Sequence, residues 1–436
     1  MHLRNPFIYG RPARGEECIP RERQLQTVFN RLRNAESTAI IGDPHIGKTS
    51  FLFQLADPSI QKDYLASDDK KLLFANIDLH SIGDNYTPTD FWSDALIPLS
   101  KLNVKSIENL VEKAKAYQYN RLSLEILFTK LESQNRVLVL LLDEFDRLLK
   151  HSNFKEPSFF ALLRSLSTRT GGLAVVPASR ISVAELNRLG RELLDAGSPF
   201  FNNMVDIKLP PFSDKEIDPL LAKATLQFST GENIFIRRVA GRNPFLLQAM
   251  AGTLHDTAMS SLRFEIAAES FYNLAVQYFD DLWDYMDDNT RTIAVILSLL
   301  DIGGRALGSD FNYGEIERVD MYGVELRKLA ERGLAEQIEK STQGLIWDNK
   351  NLLIWRGERW SLGCTAFSWW VRDTLIATTR SIPTYNEWLK QKRYIGVITQ
   401  KQWDDSQRLF KMVPASMLKG VGGLAKSLWD EITLKK

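Results

Sequence analysis

A glycine-rich loop between an apolar strand and an amphipathic helix is the strongest constraint on this chain. The predicted strand covers residues 38–41, and the loop from Gly42 to Thr49 reads G-x-x-x-x-G-K-T. This order of strand, loop and helix is the context that a P-loop requires. Because glycines let backbone N–H groups turn toward a polyphosphate, the sequence predicts binding of a nucleoside triphosphate.

The residues of this loop have separate expected roles in holding the nucleotide. Lys48 is expected to reach the β- and γ-phosphates, and the Thr49 hydroxyl is expected to ligate Mg²⁺. The helix that begins near Lys48 adds the positive end of its dipole. His45 occupies a variable position and is given no catalytic role. The predicted nucleotide-binding residues of the loop are Gly42, Pro44, Ile46, Gly47, Lys48, Thr49 and Ser50.

A second hydrophobic strand ends in two adjacent carboxylates. Residues 137–142 are all Val or Leu, and Asp143 and Glu144 follow them. A buried strand often ends in acidic residues, but after a P-loop the pattern indicates a Walker B element. Asp143 would then hold Mg²⁺ through water, and Glu144 would orient or deprotonate the attacking water. Asp146 is interpreted only as a residue of the first turn of the next helix.

Two further elements follow along the chain. The predicted strand 173–177 leads into Ser179 and Arg180. An arginine at the tip of a strand beside Walker B would point at the γ-phosphate, and the alternative is an exposed basic loop residue. A Gly-x-x-Pro turn at residues 241–244 begins a helix, which by itself is common punctuation between elements.

The fold class predicted from these patterns is α/β, with a P-loop NTPase core built on a parallel sheet. Strands alternate with helical patterns up to about Leu209, and helices alone follow Pro210 and Pro211. The predicted strands are residues 38–41, 72–77, 137–142, 173–177 and 205–209. The predicted domains are an N-terminal segment at 1–36, the core at 37–210, a helical lid at 211–286, a winged-helix domain at 287–376 and a basic amphipathic C-terminal extension at 377–436.

Helices and strands can also be assigned within the lid and the winged-helix region. The lid should begin with a helix capped by Ser213 that runs to about Phe228. The other predicted helices are residues 231–240, 244–257, 262–286, 291–300 and 321–332. Residues 334–339, 344–347 and 360–362 are predicted as the strands of the wing.

Composition gives few clues to partners but indicates the environment. The formal net charge is +1, so there is no global electrostatic case for nucleic-acid or membrane binding. The two cysteines, Cys18 and Cys364, lack metal-ligand spacing and are interpreted as reduced thiols. No apolar run is long enough to span a membrane, and the first ten residues do not read as a signal peptide. A cytoplasmic location is therefore expected.

Taken together, these elements resemble the signal-transducing ATPases with numerous domains, the STAND class of P-loop NTPases. They are also similar to AAA+ ATPases of the origin-initiator type, in which a lid and a winged helix follow the core. The resemblance covers roughly residues 5–375. It is carried by residues 7–10, 19–22, 42–49, 143–144, 178–180, 210–213, 241–244 and 326–334.

The resemblance implies further properties of the site. It implies ATP or ADP with Mg²⁺ as cofactors, and it implies that residues 19–22, beginning with Ile19, lie against the adenine. It implies that Arg180 reads the γ-phosphate, and that Pro244 packs near the base and ties lid movement to the nucleotide state. Arg188 and Arg191 are only candidates for an arginine finger, so completion of the site by a neighbouring subunit stays open.

Three functions suit this organisation. The first is a slowly hydrolysing switch, in which exchange of ADP for ATP moves the lid and winged helix and allows assembly with a signalling or defence partner. The second is a DNA-binding initiator or transposition-regulator ATPase. The third is a housekeeping NTPase or chaperone with no switching role, which would show brisk basal turnover. Residues 285–380 carry twelve basic and fourteen acidic side chains, and the predicted recognition helix presents a mixed, solvated face. A DNA-reading domain should be distinctly basic, which favours the switch.

The C-terminal extension is the most basic part of the chain. From residue 381 onward it has ten basic and five acidic side chains. Within residues 414–436, apolar residues recur at three- and four-residue spacing, which predicts one apolar stripe on a helix of about 18 residues. The stripe consists of Met417, Leu418, Val421, Leu424, Ala425, Leu428, Trp429 and Ile432. Such a helix could lie on an anionic membrane or dock on a partner, and the alternative is that it folds back onto its own protein.

Overall fold

The computed structural model describes residues 4–65, 70–194, 201–307, 323–338, 353–355, 358–376 and 420–434. The chain forms two compact units. One is Pro12–Leu209, and the other combines Met1–Arg11 with Pro210–Lys436. The first residues of the chain therefore belong with the C-terminal unit.

The unit Pro12–Leu209 contains a five-stranded parallel sheet of order β2-β3-β4-β1-β5. Its strands are β1 Thr38–Ile41, β2 Lys71–Asp78, β3 Arg136–Asp143, β4 Leu173–Ser179 and β5 Val205–Lys208. The five predicted strands are confirmed, and their observed ends differ from the predicted ones by at most two residues. The α/β fold class with a parallel sheet is confirmed with them.

Helices cover both faces of this sheet. They are α1 Glu22–Arg33, α2 Lys48–Ala56, α3 Pro58–Leu65, α4 Pro88–Ala95, α5 Ile97–Ser100, α6 Lys105–Ala116, α7 Arg121–Glu132, α8 Pro157–Arg169 and α9 Val183–Leu194. Alternate residues of β3 supply two separate cores. Leu138 and Leu140 pack in one core, whereas Val137 and Val139 pack in the other. This two-sided burial explains why the central strands read as continuous apolar runs.

The C-terminal unit begins with four helices. They are α10 Asp214–Leu221, α11 Thr230–Ala240, α12 Pro244–Asp256 and α13 Arg263–Asp284. Ser213 caps α10 through a capping box with Glu216, as predicted. The prediction that this helix runs to about Phe228 is wrong, because it ends at Leu221. Pro219 lies inside the helix and removes one of its backbone donors, which weakens its last turns.

The rest of this unit combines helices with a small antiparallel sheet. Its elements are α14 Asp288–Leu307, α15 Gly323–Glu331, β6 Ala335–Ile338, β7 Leu353–Trp355, β8 Glu358–Leu362 and α16 Thr365–Val371, which continues as a π-helical turn over Arg372–Ile376. The strand order is β6-β8-β7. The predicted wing strand at 344–347 lies outside the described residues, and β7 was not predicted. The winged-helix assignment stays a prediction.

The helix α15, predicted as the recognition helix, is engaged within its own unit. Glu325 is 7% exposed, so the prediction that this face is solvated is wrong at that position. Lys328 donates to the Asp287 carboxylate, with Nζ and Oδ2 2.7 Å apart. Asp287 also accepts the N–H and hydroxyl of Thr290, as a helix N-cap does. Burial alone would raise the pKa of Asp287, but the hydrogen bonds from Lys328 and Thr290 lower it to about 2.

This depressed pKa gives a prediction for stability against pH. Asp287→Ala should lower the free energy of unfolding at pH 7 by about 1 kcal/mol, mostly through the lost cap, because the half-exposed ion pair adds little. Because the pKa of Asp287 is lower in the folded protein, its charged carboxylate stabilises the fold fully at pH values above the unfolded pKa of about 3.9. This stabilisation decreases below that pH and is lost as the pH falls through the folded pKa of about 2. Urea denaturation of the natural protein and of Asp287→Ala at a series of pH values would measure the difference between their free energies of unfolding. A difference that stays constant down to pH 2 would contradict the assignment.

The N-terminal residues run along α12. The Asn5 side-chain amide donates to Gly252 O at 3.1 Å, and the Ile8 N–H donates to the Gln248 side chain at 3.0 Å. A Cβ at Gly252 would lie 2.6 Å from the Tyr9 ring, so only glycine allows this approach. Residues 5–9 are thereby fixed to α12.

The C-terminal helix α17, Val421–Leu434, folds back onto the helices α11 and α13. Trp429 stacks on Phe264 with ring centroids 3.8 Å apart and meets the edge of Phe235 at 6.2 Å. Of its predicted apolar stripe, the buried members are Val421, Ala425, Leu428 and Ile432. Met417 and Leu418 of that stripe lie outside the described residues. For Val421–Leu434 the structure has the fold-back alternative, with these four apolar side chains buried rather than presented to a membrane.

Trp429→Ala should detach α17 from α11 and α13. Loss of a half-buried tryptophan stacked on an aromatic ring should lower the free energy of unfolding by about 2 kcal/mol, while nucleotide affinity stays unchanged. Chemical denaturation and nucleotide titration would measure the two effects. Lys426→Ala, on the exposed side of the same helix, is the matched control. Equal stability of the two variants would contradict this docking.

Candidate functional site

The P-loop connects β1 to α2 in a conformation that depends on both of its glycines. A Cβ at Gly42 would lie 2.6 Å from Ile46 Cγ2, so the loop closes tightly only with glycine there. Gly47 has φ +96° and His45 has φ 58°, both in the left-handed region. Gly47 precedes α2 and has no side chain to cap it, which leaves the first-turn N–H groups for another acceptor. This arrangement fits a phosphate group.

Lys48 is the buried cation of the loop. It is 5% exposed, and its Nζ donates to Gly42 O at 2.9 Å and to Asp43 O at 3.1 Å. Burial lowers the pKa of Lys48, which the carboxylates of Glu144 and Asp143 oppose. A buried ammonium held largely by carbonyl oxygens is well suited to a more strongly charged acceptor such as a phosphate.

Thr49 and Asp143 meet where α2 begins and β3 ends. The Thr49 hydroxyl donates to Asp143 Oδ2 at 2.5 Å. Burial raises the pKa of Asp143, and the neighbouring Glu144 charge adds to the rise. One hydroxyl and one carboxylate suit Mg²⁺, which uses few protein ligands and completes its shell with phosphate oxygens and water. Across the described ranges there is no cluster of three or more His, Cys, Asp or Glu that could hold a metal by itself.

Glu144 and Arg180 form an ion pair at the tips of β3 and β4. Arg180 Nε lies 3.6 Å from Glu144 Oε2. Glu144 has φ 52°, a left-handed conformation that is uncommon outside glycine and often marks a functional position. The predicted base and the predicted γ-phosphate reader therefore lie side by side.

The prediction for Asp146 left out one contact. Asp146 lies in the 3-10 helix Phe145–Lys150 and also accepts a hydrogen bond from the Ser179 hydroxyl at 3.2 Å. The same hydroxyl accepts the Ile181 N–H, and Ser179 O accepts the Gly42 N–H. These bonds join the ends of β1, β3 and β4 into one edge. Polar residues at two strand ends were the available signal, but spacing alone does not pair them.

The segment before α1 supports the loop in a way that the sequence did not indicate. Arg21 is 3% exposed, and its Nη2 donates to Ile46 O at 2.8 Å. Ser50 accepts the Ala13 N–H at 3.0 Å, so this segment also touches α2. Ile19, the predicted adenine contact, is half-buried in the same segment. Within the loop itself, Pro44 is buried.

Three of the predicted residues do not join this constellation. Arg188 is on the exposed face of α9 and pairs with Glu185 and Glu192 of the same helix. Arg191 is exposed on α9, and both stay candidates only. Pro244 is the first residue of α12 and belongs to the other compact unit.

Comparison with known proteins places the chain among P-loop NTPases. Residues 35–298, more than half of the chain, match the family model described as Novel STAND NTPase 2. No curated protein matches the chain. The described helices include none that is both long and apolar enough to cross a membrane.

Several solved structures are similar to the chain. A Walker-type ATPase of Pyrococcus abyssi is 16% identical, with a TM-score of 0.46 over 83% of this chain and 99% of that one. The ORC2 protein of Aeropyrum pernix, in ADPNP and ADP complexes, is 15% identical, with a TM-score of 0.45 over 87% and 99%. CDC6P from Pyrobaculum aerophilum is 15% identical, with a TM-score of 0.36 over 87% and 97%.

Proposed function

This chain belongs to the Novel STAND NTPase 2 family, and we propose that it is a slowly hydrolysing molecular switch controlled by ADP/ATP exchange. In this proposal residues 37–210 bind the nucleotide, 211–286 act as the lid, and 287–376 are a winged-helix domain that moves with it. Segment 1–36 contributes to the adenine pocket, and 377–436 form the C-terminal extension. ATP binding would permit assembly with further copies or with a signalling partner in the cytoplasm.

The proposed chemistry uses the constellation at the edge of the parallel sheet. Lys48 and the first-turn N–H groups of α2 would hold the β- and γ-phosphates, and Thr49 and Asp143 would hold Mg²⁺. When bound, Mg²⁺ supplies the positive charge that neutralises the phosphates. Glu144 would accept the proton of the attacking water, and Arg180 would stabilise charge on the γ-phosphate. Ile19 and Pro244 would contact the base.

The observation that carries the switch is the connection between residues 241–244 and the small sheet. Arg242 donates to Glu336 of β6 at 2.9 Å and also pairs with Asp214. Gly241, with φ +66°, packs so closely that a Cβ would lie 2.8 Å from Gly363 O. Asn243 caps α12 and also donates to Tyr278 at 3.1 Å. A lid that responds to nucleotide through Pro244 would therefore carry β6 and β8 with it.

The DNA-binding alternative is less well supported. Lys328 of α15 forms an ion pair with Asp287, and Glu325 of the same helix is buried. A helix that reads DNA should instead direct its cations toward phosphates. The mixed charge of residues 285–380 supports the same preference.

Hydrogen exchange and light scattering on the full chain would test the switch. The amides of Ala335–Ile338 should exchange at different rates with ADP bound and with ATP–Mg²⁺ bound. The molar mass in solution, measured by light scattering, should rise only with ATP, because only then do assemblies form. Identical exchange and mass, together with brisk turnover, would favour a housekeeping NTPase. A salt-sensitive shift of duplex DNA at micromolar protein would favour the initiator-like alternative.

A further inference from the structure

Arg21 is a buried arginine that contacts the backbone of the P-loop. It precedes α1, is 3% exposed, and donates from Nη2 to the Ile46 carbonyl at 2.8 Å. Burying a guanidinium is costly unless its donors are satisfied, so such an arginine usually has a specific role. The oxygen that it binds belongs to the phosphate-binding loop.

Ile46 is the point at which this loop is held. Its side chain is 2% exposed in the core beneath α2, and its Cγ2 lies against the place that a Cβ of residue 42 would occupy. The residues on either side of it, His45 and Gly47, both have left-handed φ angles of 58° and 96°. The N–H of Ile46 donates to Asp43 O at 3.3 Å, so its peptide groups are bonded on both sides. Rotation at Ile46 would redirect the loop amides.

We propose that Arg21 is a positioning residue that sets the conformation of the phosphate-binding loop through the Ile46 carbonyl. The proposal rests on the nucleotide-binding function of this site and specifies how the loop is held. It differs from the expectation that residues 19–22 serve the adenine, because the Arg21 contact is with the phosphate side. The loop geometry that it maintains is needed equally for every ligand that carries the same phosphates.

The test compares ligands that share phosphates but differ in the base. Affinities for ATP, GTP and inorganic tripolyphosphate would be measured for the natural protein and for Arg21→Lys and Arg21→Met. Lysine keeps the charge but not the planar fork, and methionine keeps much of the length without charge. Both variants should weaken binding of all three ligands by a common factor of about tenfold or more. Hydrogen exchange at the amides of residues 45–47 should rise without any ligand present.

Arg31→Lys is the matched control. Arg31 donates to Ser37 O at 3.0 Å and to the Thr38 hydroxyl at 2.7 Å, at the opposite end of β1 from the loop. It should change stability but leave all three affinities and the loop exchange unaltered. An equal loss of affinity in Arg31→Lys would reduce the Arg21 effect to general destabilisation and overturn the proposal.

The outcomes separate this inference from the proposed function. If the natural protein binds none of the three ligands, the nucleotide site itself is wrong. If it binds them and the Arg21 variants bind equally well, the positioning role is wrong. Loss of affinity for ATP alone, with tripolyphosphate unchanged, would overturn the proposal in favour of a role at the base.

Discussion

Lys48→Ala should lower nucleotide affinity by about a hundredfold, equivalent to about 3 kcal/mol. The Lys48 ammonium is buried and held by carbonyl oxygens of its own loop. Alanine removes the charge that would meet the β- and γ-phosphates. Titration of ADP and ATP by calorimetry would measure the loss.

The same substitution should leave the nucleotide-stripped protein no less stable. Burial lowers the pKa of Lys48, so its charged form has a cost in the folded protein at neutral pH. Lys62→Ala, which removes an exposed lysine from the next helix, is the control for general charge effects. Unchanged affinity in Lys48→Ala would remove the loop from nucleotide binding.

Glu144→Gln should reduce hydrolysis by about a hundredfold or more while ATP stays bound. Glutamine keeps the size of the side chain but cannot accept the proton of the attacking water. Its effect should fall on the rate of hydrolysis and leave the affinity for ATP nearly unchanged. Single-turnover hydrolysis with labelled ATP, alongside a binding titration, would separate the two quantities.

Asp146→Asn is the control for Glu144→Gln. Asp146 is a nearby carboxylate that accepts from the Ser179 hydroxyl, and asparagine retains an acceptor oxygen for that bond. Its hydrolysis rate should change far less than that of Glu144→Gln. Equal losses of hydrolysis rate in the two variants would indicate a general effect of negative charge in this region. Glu144 would then not be the base.

The parallel sheet and the nucleotide loop could be predicted because their signals are local. The phosphate-binding motif from Gly42 to Thr49 is defined by particular residue types at fixed positions within eight consecutive residues. The strands β3 and β4 are buried on both faces and therefore read as uninterrupted apolar runs. The place of Asp143 and Glu144 at the end of β3 could be predicted for the same reason, and their roles stay predictions.

The contacts that sequence reasoning missed join residues that are distant along the chain. Arg21 reaches Ile46, and Ser179 reaches Asp146, through pairings that only the folded sheet edge determines. The docking of α17 was left open because an apolar stripe fits a membrane, a partner or the protein itself equally well. Its outcome depended on an aromatic surface at Phe235 and Phe264, which helical spacing indicates only as core.

In the proposed switch, the resting protein holds ADP in a closed, slowly exchanging site. Acid extraction of the purified full chain, followed by chromatographic identification of the released nucleotide, would show whether ADP is bound. We expect close to one equivalent of ADP per chain, and we expect Lys48→Ala prepared in the same way to release none. Protein that is purified empty and rapidly turns over added ATP would contradict the proposed switch.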